Sequence, residues 1–233
     1  MRILRMSLTW RRVRGSWLFS ALVMLAVVGG VRSAIADWND VPTGSMKPTI
    51  LIGDRIAVNK LAYDLKLPFV GTRLVTWGHP ERGDVVICTS PADGTRLVKR
   101  VVAVPGDVVE MRQSRLLING EPLAYTAADE AAIREAMGAD AADKVFFTED
   151  LTGHRHTVAL TPQKRAIRDF GPLAVPAGKF FMMGDNRDNS ADSRYWGFVD
   201  RDAVAGRVYA VAFSLDYENH WRPRWSRFFS DLI

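Results

Sequence analysis

Apolar positions form one long run near the N-terminus and many short runs after it. Residues 16–31 are apolar and uncharged, whereas from residue 53 onward the apolar runs are short and rich in β-branched side chains. Short runs of this kind, bounded by Gly and Pro, are typical of β-strands. We predict strands over residues 55–59, 84–88, 96–104, 108–112, 115–118, 156–160, 179–183 and 207–213. The body of the chain is therefore predicted to be mostly β.

One stretch breaks the strand pattern. Residues 127–144 are rich in alanine and carry charges spaced for a short helix. We therefore predict an inserted lobe with a short helix over residues 121–175. A β core of residues 37–120 and 176–233 surrounds it.

The N-terminal apolar run allows two interpretations. A basic segment, residues 1–15, precedes it, and the small residues Ala34 and Ala36 follow it. The run is a single transmembrane anchor over residues 16–36, or the hydrophobic part of a signal peptide cleaved after Ala36. Both interpretations place residue 37 onward outside the cytoplasm.

The net charge of +5 belongs to the N-terminus. Five arginines lie within residues 1–15, which hold no acidic residue, so the remaining 26 basic residues balance the 26 acidic ones. A body without net positive charge does not indicate nucleic-acid binding. The single cysteine, Cys88, excludes an intramolecular disulfide.

A serine and a lysine are the candidate catalytic residues. Ser45 lies in the Ser45 turn, residues 42–49, where Gly44 and two prolines favour an exposed, stiff loop. Alternation along residues 96–104 places Lys99 as the one charge on an apolar face, with Arg96 and Arg100 on an opposite face that can be wet. Burial lowers the pKa of a lysine, which lets a neutral amine accept a proton from a serine. An ordinary loop serine and a strand-edge lysine are the alternatives.

The histidines and the acidic residues do not complete another known site. None of His79, His154, His156 and His220 stands in a recognisable triad motif. The acidic–basic loop, residues 184–194, is dense in Asp, Asn and Arg. It fails the calcium pattern, because counting from Asp188 the sixth and twelfth positions are Ser and Val. No metal and no cofactor are predicted.

Four segments carry a family resemblance. In chain order they are residues 45–49 (SMKPT), 82–86 (RGDVV), 99–107 (KRVVAVPGD) and 184–199 (GDNRDNSADSRYWGFV). Together they resemble the bacterial signal peptidase I (leader peptidase) family of membrane-anchored serine–lysine peptidases. The resemblance implies an antiparallel β catalytic core with a smaller inserted lobe, and the helical stretch at 127–144 departs from it.

The resemblance also implies roles for individual residues. Ser45 would be the nucleophile and Lys99 the general base, with the Ser45 backbone N–H and the Thr43 hydroxyl as oxyanion donors, although many relatives carry Ser at position 43. Ser190 would orient the lysine, while Asp192 and Arg194 would form an ion pair in the loop that Gly184 opens. Shallow pockets for small substrate side chains would be lined by Val41, Met46, Ile50, Ile56, Leu97 and Val98.

The implied function is the removal of signal peptides from exported preproteins after Ala-x-Ala sites. Its partners would be preproteins and the lipid bilayer, and the protein would be a monomer. It would be a single-pass protein of the bacterial cytoplasmic membrane with its N-terminus in the cytoplasm. This favours an anchor at residues 16–36, where Ala34-Ile35-Ala36 would itself suit the enzyme. The alternatives are a conjugative-pilus maturation peptidase with one substrate, or a non-catalytic exported β-domain that binds a partner.

Overall fold

In this computed structural model the described residues are 17–34, 36–67, 70, 72–217 and 219–232. The basic segment predicted over residues 1–15 lies outside them, as does Ile35 of the Ala-x-Ala sequence. The helices are α1 (Trp17–Ala34), α2 (Glu130–Met137) and α3 (Ser193–Trp196). Short 3-10 turns cover Gly138–Ala141, Arg187–Asn189, Arg201–Ala203 and Trp225–Arg227.

The described residues form eighteen strands, far more than the three helices. They are β1 (Ala36–Asp40), β2 (Asp54–Asn59), β3 (Asp64–Lys66), β4 (Arg73–Thr76), β5 (Val85–Thr89), β6 (Arg96–Ala103), β7 (Val108–Arg112), β8 (Arg115–Ile118), β9 (Glu121–Pro122), β10 (Ala124–Ala127), β11 (Val145–Leu151), β12 (His154–Leu160), β13 (Phe170–Ala174), β14 (Lys179–Met183), β15 (Val199–Asp200), β16 (Val204–Asp216), β17 (Arg222–Pro223) and β18 (Ser230–Asp231). Every predicted strand is present, so the mostly β fold is confirmed.

The strands form antiparallel sheets. The largest has nine strands in the order β1-β2-β16-β5-β6-β14-β15, with β17 and β18 also paired to β16. A four-stranded sheet has the order β13-β7-β8-β9, a three-stranded sheet the order β10-β11-β12, and β3 pairs with β4. Strand β6 therefore lies inside the large sheet, with β5 on one side and β14 on the other.

The predicted helix is present but shorter than residues 127–144. Asp129 caps its N-terminus by accepting from Ala131 N, and Gly138, with φ of 56°, ends the α-helical part at Met137. The 3-10 turn Gly138–Ala141 extends it. Met137, Ala141 and Phe146 pack there against Leu51, which lies just after the Ser45 turn.

Helix α1 covers most of the long apolar run. In the part of the chain that the structure describes, no helix combines the length and hydropathy needed to cross a membrane.

Candidate active site

The Ser45 turn connects β1 to β2 and is anchored from below. Met46 and Ile50 are fully buried, and both join an apolar cluster with residues of β2, β5 and β16. Within the turn, Lys47 N donates to Gly44 O at 3.2 Å and Ile50 N donates to Met46 O at 2.9 Å. Ser45 itself is half-buried at the top of this anchored turn.

Lys99 reaches the Ser45 hydroxyl from the middle of the large sheet. Lys99 pairs with Val86 of β5, and its Nζ donates to Ser45 Oγ at 2.7 Å and to Val98 O at 3.1 Å. Only 1% of Lys99 is exposed. Its neighbours on the same face include Val86 and Cys88, members of one apolar cluster. The predicted apolar surroundings of Lys99 are confirmed.

Burial lowers the pKa of Lys99. The carboxylates of Asp192 and Asp185 and the Cys88 side chain oppose this effect, whereas Arg194 adds to it, and the net pKa stays below that of an exposed lysine. A neutral amine at this distance from Ser45 Oγ can accept the hydroxyl proton. The neighbouring thiol has no such activation, because burial raises the pKa of Cys88 to about 11.

Peptidase activity is expected to rise with pH through the pKa of Lys99. Below that pKa the amine is protonated and cannot accept a proton; above it the amine is neutral. Because burial lowers the pKa, the midpoint of kcat/KM should lie below the value of about 10.4 for an exposed lysine. Measurements of kcat/KM over neutral and alkaline pH test this, and a midpoint at or above the ordinary lysine value would contradict it.

Asn186 holds the backbone of the Ser45 turn. Its N–H donates to Ser45 O at 3.0 Å, and its Nδ2 donates to Gly44 O at 2.9 Å. The peptide between Gly44 and Ser45 is planar, so fixing the Gly44 carbonyl also fixes the direction of the Ser45 N–H. Sequence analysis assigned no role to Asn186, although it lies within the distinctive segment 184–199.

The acidic–basic loop is held by buried ion pairs. Asp192 accepts from Arg194 Nε at 2.8 Å and from Gly184 N at 3.1 Å, so the pair predicted between Asp192 and Arg194 is present. Arg100 binds Asp185 through two bonds of 2.9 and 2.8 Å, and both side chains are almost completely buried. The prediction of a wet face for Arg100 is therefore wrong, because Asp185 supplies a buried partner for its charge.

A second buried pair connects the loop to strand β11. Arg187 donates to both carboxylate oxygens of Glu149, at 2.7 and 2.6 Å. His156 Nε2 lies 3.2 Å from Glu149 Oε1. Among the described residues no group of His, Cys, Asp and Glu side chains has the geometry of a metal site.

Ser190 and Gly184 lie beneath the Ser45 turn. A Cβ on Gly184 would meet Ser190 Oγ at 2.3 Å and Ser45 O at 2.4 Å, so only glycine fits there. Ser190 is buried, and its hydroxyl has no hydrogen-bond partner among the described residues. The structure thus places Ser190 close to the site without a hydrogen bond to Lys99.

The predicted pocket residues divide between two apolar clusters. Val41, Met46, Ile50 and Ile56 are buried together, with Val98 packed against them, whereas Leu97 packs on the neighbouring cluster that contains Cys88. Thr43, predicted to donate to an oxyanion, has an exposed side chain. A cavity of about 560 Å³ lies elsewhere, between residues such as His79, Arg82 and Phe180.

A serine hydroxyl beside a buried lysine amine, on an antiparallel β scaffold, is the arrangement of a candidate serine–lysine hydrolase. The sequence model of the family described as signal peptidase, peptidase S26 matches residues 14–213. This match covers most of the chain. The chain therefore belongs to the signal peptidase, peptidase S26 family.

Individual relatives agree with this family. A signal peptidase I of Pseudomonas fluorescens is 36% identical over 206 residues, covering 82% of this chain and 69% of the relative. A signal peptidase I of Pseudomonas aeruginosa is 36% identical over 203 residues, with the same two coverages of 82% and 69%. A signal peptidase I crystal structure from Enterococcus faecalis V583 is 32% identical and covers 55% of this chain and 95% of that one, with a TM-score of 0.35.

Proposed function

We propose that this protein is an endopeptidase that removes N-terminal signal peptides from exported preproteins, with Ser45 as nucleophile and Lys99 as general base. The observation that carries the proposal is the 2.7 Å contact between Lys99 Nζ and Ser45 Oγ, made by an amine that is 1% exposed. Family membership supports peptidase chemistry at this site.

The reaction begins when Ser45 Oγ attacks the scissile carbonyl carbon and its proton passes to Lys99 Nζ. The carbonyl oxygen becomes an oxyanion, which the Ser45 N–H and the Thr43 hydroxyl stabilise. Lys99 then gives its proton to the leaving amine, the C–N bond breaks, and the signal peptide remains as an ester on Ser45. A water molecule, deprotonated by Lys99, hydrolyses the ester and restores both side chains.

The apolar cluster beside the Ser45 turn accounts for a preference for small substrate side chains. Val41, Met46, Ile50 and Ile56 are each at most 2% exposed, so they leave little depth next to the serine. Leu97 and Val98 are the half-buried members of the set. A shallow apolar surface of this kind accepts Ala and rejects larger residues by steric overlap.

The N-terminal segment would hold the enzyme at the membrane. Residues 16–36 would be the single anchor, with the basic residues 1–15 in the cytoplasm and the catalytic body on the outer side of the bacterial cytoplasmic membrane. Ser45 lies only nine positions beyond Ala36, so the site would lie near the lipid surface. The enzyme would act as a monomer. Recovery of the full-length chain in the soluble fraction, with none in the membrane fraction, would contradict this.

The proposed function is tested with a panel of purified preproteins that carry Ala-x-Ala sites. We expect each to be cut once, directly after the second Ala, with the product N-terminus identified by sequencing. Replacing that Ala by Phe should lower kcat/KM by roughly 100-fold or more, because the larger side chain does not fit. Cleavage of only one preprotein would instead favour a dedicated maturation peptidase, and no cleavage would favour a non-catalytic binding domain.

A further inference from the structure

A lysine next to the nucleophile connects the Ser45 turn to helix α2. The side chain of Lys47 runs back over Gly44, so that a Cβ on Gly44 would lie 3.2 Å from both Cδ and Cε of Lys47. Its ammonium group donates to the Asp140 carboxylate, in the 3-10 turn that follows α2. A contact between residues 93 positions apart thus joins the predicted lobe to the Ser45 turn.

Asp140 is held firmly on the side of the lobe. The neighbouring Met137 and Ala141 are buried against Leu51 and Phe146. The turn that carries Asp140 is therefore packed on Leu51, two residues beyond the Ser45 turn. The cap from Asp129 to Ala131 N fixes the start of the same helix. Asp140 is therefore a fixed point against which Lys47 is positioned.

Lys47 and Asn186 hold the same peptide from two directions. Gly44 O accepts from Asn186 Nδ2 at 2.9 Å and from Lys47 N at 3.2 Å, while the Lys47 methylenes lie across Gly44. The amide plane that contains the Gly44 carbonyl also contains the Ser45 N–H. A rotation of this peptide would change the direction of that N–H, which the proposed mechanism assigns to the oxyanion.

We propose that Asp140 is a positioning residue, which acts through Lys47 to hold the Gly44–Ser45 peptide in the orientation needed for catalysis. The inference rests on the proposed function, since the consequence concerns the oxyanion donor of that reaction. It assigns the 3-10 turn after α2 an indirect effect on catalysis, through Lys47.

The proposal predicts a loss of rate without a loss of stability. The Asp140 side chain is 48% exposed, so water can replace part of the contact when Asp140 is changed, and Lys47→Met leaves no buried charge behind. The catalytic rate is more sensitive than the folding stability to the loss of this contact, because small displacements of catalytic groups lower the rate by large factors. The effect should fall on kcat, because the oxyanion forms only in the transition state.

The test compares Lys47→Met and Asp140→Asn with a matched pair on the same segment. We expect each variant to lower kcat for preprotein cleavage by about tenfold, with KM and the thermal midpoint unchanged. The double variant should be no slower than either single variant, because both remove one contact. Asp140→Glu, which keeps the charge, should recover much of the rate.

Asp143 and Lys144 provide the control. They form a comparable ion pair at 2.8 Å, with the Asp143 side chain 57% exposed and the Lys144 side chain 10% exposed. Among the described residues, this pair has no hydrogen bond or ion pair to the Ser45 turn. Asp143→Asn and Lys144→Met should leave kcat unchanged. The inference is overturned if Asp140→Asn has the kcat of wild type or of Asp143→Asn, if the loss appears in KM alone, or if the two substitutions add. If the wild-type protein cleaves no preprotein, the proposed function is wrong. If the wild-type protein cleaves preproteins and Lys47→Met and Asp140→Asn have the wild-type kcat, the proposed function stands and only the inference about Asp140 is wrong.

Discussion

Ser45→Ala and Lys99→Met should each reduce preprotein cleavage to the background rate while leaving the fold intact. Removing the nucleophile of a serine peptidase lowers kcat on the order of 10⁶-fold. Removing the base should cost about as much, since Lys99 Nζ, 2.7 Å away, is the hydrogen-bond partner of the Ser45 hydroxyl among the described side chains. The double variant should be no worse than either single one, because the two groups act as one unit. Initial rates of product formation, followed by gel or mass spectrometry, measure this.

Lys179 supplies a matched control for the lysine. It lies on β14, the neighbour of β6, and pairs with Asp200 at 2.7 Å with 38% of its side chain exposed. Lys179→Met should retain nearly full activity. A Lys99→Met enzyme that kept a tenth of wild-type activity would rule out Lys99 as the base. Circular dichroism of each variant shows whether a loss of activity is caused by unfolding.

The elements of the fold were predictable because their signals are local. Alternation along residues 96–104 placed Lys99 on an apolar face, and the structure buries it there. Alanine content located the helix but not its bounds, which Asp129 and Gly138 set in the structure inside the predicted range of residues 127–144. The Ser45 turn was visible from Gly44 and its flanking prolines.

The contacts that support the site were not predictable in this way. Asn186 lies 142 residues from Gly44, Asp185 lies 85 from Arg100, and Asp140 lies 93 from Lys47. Strand alternation predicts which face of the sheet a side chain lies on, but not which segment packs on that face. Arg100 was therefore expected to lie on a solvent-accessible face. Only the packing of the acidic–basic loop against β6 shows that its partner is buried with it.

Arg100→Met should destabilise the protein by about 3–5 kcal/mol, the usual cost of leaving one member of a buried ion pair without its partner. Arg100 donates twice to Asp185 and once to Gly83 O at 2.8 Å, and the Asp185 carboxylate would remain buried without these donors. Urea unfolding at neutral pH measures the loss. Arg112→Met is the control, since Arg112 pairs with Glu110 with 69% of its side chain exposed, and it should change stability by less than about 0.5 kcal/mol.

The pH dependence of this loss has a definite sign. Burial raises the pKa of Asp185, but Arg100, helped by His156 and Thr49, more than offsets this effect, so the wild-type pKa lies below the ordinary aspartate value. The stability that this carboxylate contributes is therefore lost only as pH falls through the lowered pKa. Without Arg100, only His156 and Thr49 oppose the effect of burial, so the pKa of Asp185 should be higher in the folded variant than in the folded wild type. The difference in unfolding free energy between wild type and Arg100→Met should therefore become smaller as pH is lowered from neutral towards the ordinary aspartate pKa.

A second variant, Arg100→Met/Asp185→Leu, removes both charges and should recover much of the stability. Two results would show that the unpaired Asp185 charge does not cause the loss of stability in Arg100→Met. One is a stability difference from wild type that grows as pH falls, and the other is a double variant less stable than Arg100→Met.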